Sequence, residues 1–276
     1  WANDDHTDVD SVTFQLQYKT DTSDWKKVDF LGDGASAELI ANAENEWTVK
    51  WTTLPSTLSN GKPIAGYRVV EVTDDGWVQI GVTEPDFMGL SRSITYKYTF
   101  TNSVTTSYSV EKVWNPADLS SKPSVTIGLY RTLDEAEVGS VDGNPVPVDE
   151  MNPTGNKQTV TLSGNTWTHI FDNLPKYNSE GKAYHYYALE LDKDGKPIAD
   201  GEIKTLIDDG DYKVSYDWTA ENSTKTIVTN TPTTYLRGAK TWVDNGNAYG
   251  TRPDDITLNL ERTTDTNIDA NTDWDN

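Results

Sequence analysis

Apolar and polar residues alternate with a period of two along most of this chain. "SVTFQLQY" (11–18), "SVTIGLY" (124–130) and "DITLNLE" (255–261) each read as a strand with one buried face. Turn signals such as "NGK", "DDG" and "KDGK" separate such segments, and the 3.6-residue period of a long helix is missing. Many short strands with frequent turns predict an all-β sandwich.

The pattern also repeats at domain-sized intervals. "EKVWN" (111–115) matches "AKTWV" (239–243), and each precedes a proline and an alternating strand, "KPSVTIGLYRT" (122–132) and "RPDDITLNLERT" (252–263). Trp1 stands before "VDSVTFQLQYKT" (9–20) in the same way. Further along, "EWTVKWTTLP" (46–55) matches "TWTHIFDNLP" (166–175), and "GKPIAGYRVVEV" (61–72) matches "GKAYHYYALEL" (181–191). "YTFTNS" (98–103) matches "TIVTNT" (226–231). These matches predict a domain over 1–106, a second over 107–234, and the beginning of a third over 235–276. Linkers of a few residues between them predict a stiff string rather than loose beads.

Several polar residues occupy the apolar face of their strands. Lys112 alternates in phase with Val110 and Trp114, and a lysine is seldom buried unless it is paired. Glu71 is in phase with Tyr67 and Val69, and Glu190 with Tyr186 and Ala188. Asn102 is in phase with Tyr98 and Phe100, and Asn230 with Thr226 and Val228. One reading is a buried Lys–Glu ion pair with an asparagine bonded nearby, which adds little net stability. The other is a self-made amide bond. Burial lowers a lysine pKa and raises a glutamate pKa, so an apolar site holds a free amine beside a carboxylic acid. The amine attacks the asparagine carbonyl, the acid polarises it and shuttles protons, and ammonia leaves.

The pieces "KVW…KPSVTIGLYR", "WTHIFDNLPKY", "YYALE" and "VTNT" resemble the tandem Cna B-type (reverse immunoglobulin-like) domains of Gram-positive surface proteins and pili, over nearly the whole chain. The resemblance implies tandem immunoglobulin-like β-sandwiches in a linear array. It also implies a bond from a first-strand lysine to a last-strand asparagine, assisted by an acidic residue. Carried over, the second domain has Lys112, Glu190 and Asn230. The first has Glu71 and Asn102, its lysine being expected just before Trp1, and the third has Lys240 without its glutamate and asparagine. The implied function is the stalk of a cell-surface adhesin, wall-anchored through a region outside this chain. Bond formation is then a single autocatalytic event, not enzyme turnover. A pilin subunit and a module binding host matrix or glycan are the alternatives. For the partial third domain, a window cut from a longer array stands against completion of a neighbouring molecule's first domain by strand addition.

Composition narrows the partners. A net charge of −21 argues against nucleic acid, which requires a basic patch. The chain has no cysteine, so disulfides and thiolate metal sites are excluded, and no apolar run is long enough to span a bilayer. His6, His169 and His185 are scattered, so no metal or cofactor is expected. "DKDGK" (192–196) starts like a calcium loop but lacks the remaining ligands and predicts a hairpin turn. "NST" (222–224) matches a glycosylation acceptor, incidental in a bacterial chain, and Lys176 in "LPKY" lacks the setting of a pilin's sortase-reactive lysine. Trp25, Trp77 and Trp218, outside the best-repeated motifs, are candidate ligand platforms.

Overall fold

The computed structural model describes residues 12–21, 24–29, 37–41, 47–73, 76–88, 95–205, 210–234, 236 and 238–263. The chain divides into two compact units, Trp1–Thr234 and Tyr235–Asn276. In chain order the strands of the first unit are β1 (Thr13–Lys19), β2 (Lys26–Lys27), β3 (Ala37–Ala41), β4 (Trp47–Trp51), β5 (Gly66–Val72), β6 (Trp77–Met88) and β7 (Thr95–Trp114). They continue with β8 (Val125–Thr132), β9 (Asn144–Pro145), β10 (Thr159–Leu162), β11 (Thr168–Pro175) and β12 (His185–Leu191). The last are β13 (Ile203–Thr205), β14 (Asp211–Asp217) and β15 (Lys225–Pro232).

The alternating segments at 11–18 and 124–130 become β1 and β8, as their period requires. In the first 106 residues, β1 lies between β2 and β5, β3 pairs with β4, and β6 pairs with the early half of β7. From residue 107 onward two sheets form, one ordered β10-β8-β12 with β9 also on β8, the other ordered β11-β7-β15-β14-β13. Their inner faces enclose Val110, Trp114, Ile127, Leu129, Phe171, Ala188, Val214 and Val228, all buried. The outer face of β8 and β12 is also covered. Tyr130, Tyr187 and Leu189 form a second cluster there, packed with Val138, Val141, Tyr216 and Trp218. Gly139 (φ +89°) lies so close to the Trp218 ring that a Cβ would stand 2.5 Å from it.

The first and last strands of this sandwich are neighbours. β15 runs parallel to β7, with Val228 opposite Lys112 and Asn230 opposite Trp114. β7 itself is continuous across the expected boundary at 106/107, where a short linker was anticipated. No glycine or proline interrupts residues 95–115, and the segment is rich in Thr, Val, Ser and Tyr, so nothing breaks the strand before Pro116. β11 reinforces the crossing, since Leu174 and Pro175 pair with Thr106 and Thr105. Beyond them, the Lys176 amide donates to the Val104 carbonyl (2.8 Å) and the Tyr177 amide to Ser103 Oγ (2.9 Å).

In the second unit, "DITLNLE" (255–261) does not form the expected strand. Ile256, Leu258 and Leu260 are exposed. Period-two patterning marks a segment able to join a sheet, but a strand needs a ladder partner, and the described residues of this unit supply none.

Candidate functional site

Lys112 and Asn230 reach the same place because β7 and β15 are parallel neighbours whose inward residues are in phase. Glu190 comes from the opposing sheet, on β12, and projects between the layers. All three are buried, Glu190 and Asn230 completely and Lys112 to 3% exposure. Lys112 Nζ lies 3.9 Å from Glu190 Oε2, and Asn230 Nδ2 donates to Glu190 Oε1 at 3.0 Å. The amine also donates to the carbonyls of Val113 (2.9 Å) and Val228 (3.3 Å), and lies 4.4 Å from the centre of the Trp114 ring. Trp114 is itself held edge-on by Trp167 and Tyr212.

Burial in this apolar setting disfavours both charges. It pulls the Lys112 amine down to about 7 from the ordinary 10.5, against the opposing pull of Glu190. Burial likewise pushes the Glu190 carboxyl up, only partly offset by Lys112 and by the Asn230 hydrogen bond. Glu190 Oε2 and Asn230 Oδ1 are buried without a hydrogen-bond partner. Turning the Asn230 amide over would place its oxygen at hydrogen-bond distance from Glu190 Oε1, where a protonated glutamate donates to it, the choice between amide N and O being one that hydrogen bonding must decide.

The same half-site recurs in the first domain. Asn102 Nδ2 donates to Glu71 Oε1 at 2.7 Å, and Glu71 Oε2 and Asn102 Oδ1 are likewise buried without partners. Burial raises the Glu71 carboxyl, and the Asn102 hydrogen bond opposes the shift. The repeat extends to Tyr67 and Tyr186, whose hydroxyls donate to the Pro55 and Pro175 carbonyls. Lys240, in the second unit, is exposed and lies 4.7 Å from the Trp242 ring, a pairing like that of Lys112 with Trp114.

Other candidates resolve into local structure. His169 packs edge-on against Phe171, His185 starts β12, and His6 lies outside the described residues. Among the described residues no cluster of His, Asp or Glu is arranged to hold a metal ion. Asp192 Oδ1 accepts from the amides of Asp194 and Lys196 with Gly195 at φ +76°, so "DKDGK" is a turn stitched by its own aspartate. Asn222 lies in an exposed turn, and Lys176 in an exposed position beside Tyr177. Of the tryptophan platforms, Trp218 is corrected. Trp218 stacks on Tyr216 and donates to the Ala188 carbonyl (3.4 Å), because β14 ends at Asp217 and the ring covers the outer cluster. Lys19 and Arg68 cover the Trp25 ring, and Trp77 is half-buried at the start of β6. Alternation did not single out Tyr216 as part of the site. The signal was present in "YKVSY", where its hydroxyl is in phase with Tyr212 and Val214.

The chain is similar to several known proteins. The collagen adhesin of Staphylococcus aureus is 27% identical over 178 residues, which cover 60% of this chain and 12% of that protein. Among solved structures, a single B repeat unit of the S. aureus collagen-binding surface protein is 21% identical. That alignment covers 81% of this chain and 87% of the repeat unit, with a TM-score of 0.28. The major pilin of Corynebacterium diphtheriae, whose structure points to a modular pilus assembly with stabilising isopeptide bonds, is 14% identical. It aligns over 79% of this chain and 54% of its own, with a TM-score of 0.28. The model of the Cna protein B-type domain matches residues 1–88, 108–231 and 236–276 in succession. With three successive matches along a chain whose described strands are all in β-sheets, this chain belongs to the Cna B-type domain family, as a tandem array of immunoglobulin-like domains.

Proposed function

We propose that this chain is a segment of the stalk of a bacterial cell-surface adhesin or pilus, and that residues 107–234 tie themselves shut with a Lys112–Asn230 isopeptide bond. The observation that carries the reading is the convergence of Lys112, Glu190 and Asn230 in one dry site, with the amine's charge and the carboxylate's charge both disfavoured. The neutral Nζ attacks Asn230 Cγ, and Glu190 donates its proton toward the amide oxygen and then collects the proton the amine sheds. The Cγ–Nδ2 bond breaks, Nδ2 leaves as ammonia with that proton, the oxygen returns its proton to Glu190, and a new Cγ–Nζ amide remains. Holding the three groups together in the folded core replaces the activation that an enzyme would supply.

The bond would join residues 118 positions apart, the first and last strands of the sandwich. Treated like a disulfide loop, it stabilises the domain by about 5 kcal/mol. Its mechanical effect is larger in kind. Tension entering on β7 would leave on β15 across one covalent bond, so the intervening strands could not be drawn out. Asn102 and Lys112 lie on the same uninterrupted strand, so a short run of β7 would carry load from the first domain into the tie of the second. This suits a spacer under shear, and the chain is similar over part of its length to the collagen adhesin of S. aureus.

Intact-mass measurement tests the reading. The chain should weigh less than its sequence by one ammonia for the 107–234 domain, and Lys112→Ala should restore the full mass. A wild-type chain at full mass would end the isopeptide proposal.

A further inference from the structure

β12 lies at the end of its sheet, with β8 on one side and an open edge on the other. An open edge leaves every second backbone N–H and C=O without a ladder partner. On β12 that set includes Ala188 and Glu190, both completely buried, so water cannot satisfy them. Two hydroxyls from the opposing sheet do. The Ala188 amide donates to Thr226 Oγ1 (3.0 Å), and the Glu190 amide donates to the Tyr216 hydroxyl (3.1 Å). The Tyr216 hydroxyl in turn donates to the Ile198 carbonyl (2.8 Å), and the Ile198 amide donates to the Glu190 carbonyl (2.9 Å), closing a ring around Glu190. Thr226 Oγ1 also shares a hydrogen bond with the Tyr108 hydroxyl on β7 (2.9 Å).

The geometry points to Thr226 and Tyr216 as positioning residues for the Lys112–Asn230 bond: their hydroxyls lock the open edge of β12 to β15 and β14 and hold Glu190 against Asn230. This rests on the isopeptide reading above. Two packed sheets are held mainly by apolar contact, which is non-directional and tolerates small slides. Acid–base chemistry does not, since a displacement of about 1 Å costs roughly a hundredfold in rate. The clamp supplies direction where packing cannot. Thr226 is on the same strand as Asn230, four residues before it, and Tyr216 pairs with Val228, which lies opposite Lys112. The clamp thus ties the acid's strand to the strands bearing both reactants. The first domain differs here. Val82, paired with Phe100 two residues before Asn102, occupies the position of Tyr216 and carries no hydroxyl. Glu71 there is only half-buried, while Glu190 is enclosed.

The test is a time course of ammonia loss, read by intact mass, in the 276-residue chain made by cell-free translation, with circular dichroism confirming the fold. Thr226→Val keeps the volume and removes the acceptor, and should slow bond formation about ten- to hundredfold. Thr226→Ser should return the rate to near wild type, and Tyr216→Phe should slow it as Thr226→Val does. Wild-type rates in Thr226→Val and Tyr216→Phe would overturn the clamp alone. So would a Thr226→Ser chain as slow as Thr226→Val, because the methyl group's packing would then be the cause. Should Thr226→Val fail to fold, Tyr216→Phe decides by itself. A wild-type chain that never loses ammonia overturns the clamp together with the isopeptide reading.

Discussion

Glu71 meets Asn102 in the first domain as Glu190 meets Asn230 in the second, through the same pair of atoms and with the same two oxygens left without partners. Around them the two sites diverge. In the second domain a lysine amine stands beside the pair, two hydroxyls fix the acid's strand, and an outer aromatic cluster seals its sheet. In the first, among the described residues, no lysine stands by the pair, and the acid is half-buried. The Glu–Asn contact follows from the same strand phase in both domains, while the two hydroxyls and the aromatic layer are described for the second.

Breaking the two asparagines separates these contributions most sharply. Asn230→Ala should remove a covalent tie worth about 5 kcal/mol, lowering the melting temperature on the order of 20 °C in thermal denaturation. If the midpoint moves only a few degrees, no tie was present.

Acidity gives the next largest effect. The reactive form of the second site holds one proton between Lys112 and Glu190, with the amine free and the acid protonated. Burial brings the amine down to about 7 and pushes the acid up, which favours this form over the ion pair. In acid both groups are protonated and the amine cannot attack; in alkali both are empty and the acid cannot donate. The rate of ammonia loss should therefore trace a bell against pH. Glu190→Gln should flatten the bell and slow the reaction roughly 10²–10⁴-fold. A rate that simply climbs with pH would remove Glu190 from its role.

Asn102→Ala should cost less, about 1–3 kcal/mol, because it leaves the Glu71 carboxyl without its amide but severs no proposed covalent bond. Chemical denaturation of the chain would read the difference from Asn230→Ala. The smallest expected effect tests the outer layer. Gly139→Ala pushes a methyl group toward the Trp218 ring at a positive φ and should destabilise the second domain by about 1–3 kcal/mol. An unchanged denaturation midpoint would mean that the layer adds little to enclosure.

Much of this was legible in the chain before any coordinates. Side chains on a strand switch faces at every residue, so inward placement of Lys112, Glu190, Asn230, Glu71 and Asn102 followed from their phase with Val110, Ala188, Val228, Val69 and Phe100. The repeats supplied partners, because one local pattern folding twice yields the same neighbours twice. Where readings failed, they depended on distant strands. "DITLNLE" has the period of a strand without a ladder partner among the described residues, and Trp218 looked free because the outer cluster that it covers is drawn from β8 and β12. Phase along a strand is a local property set by backbone geometry, so sequence alone determined which residues turn inward. Which strands lie side by side, that β7 runs unbroken through 106/107, and that Thr226 and Tyr216 close the edge of β12 are outcomes of long-range pairing. They follow from which hydrogen-bond edges remain open once the sheets have packed, and only the tertiary structure decided them.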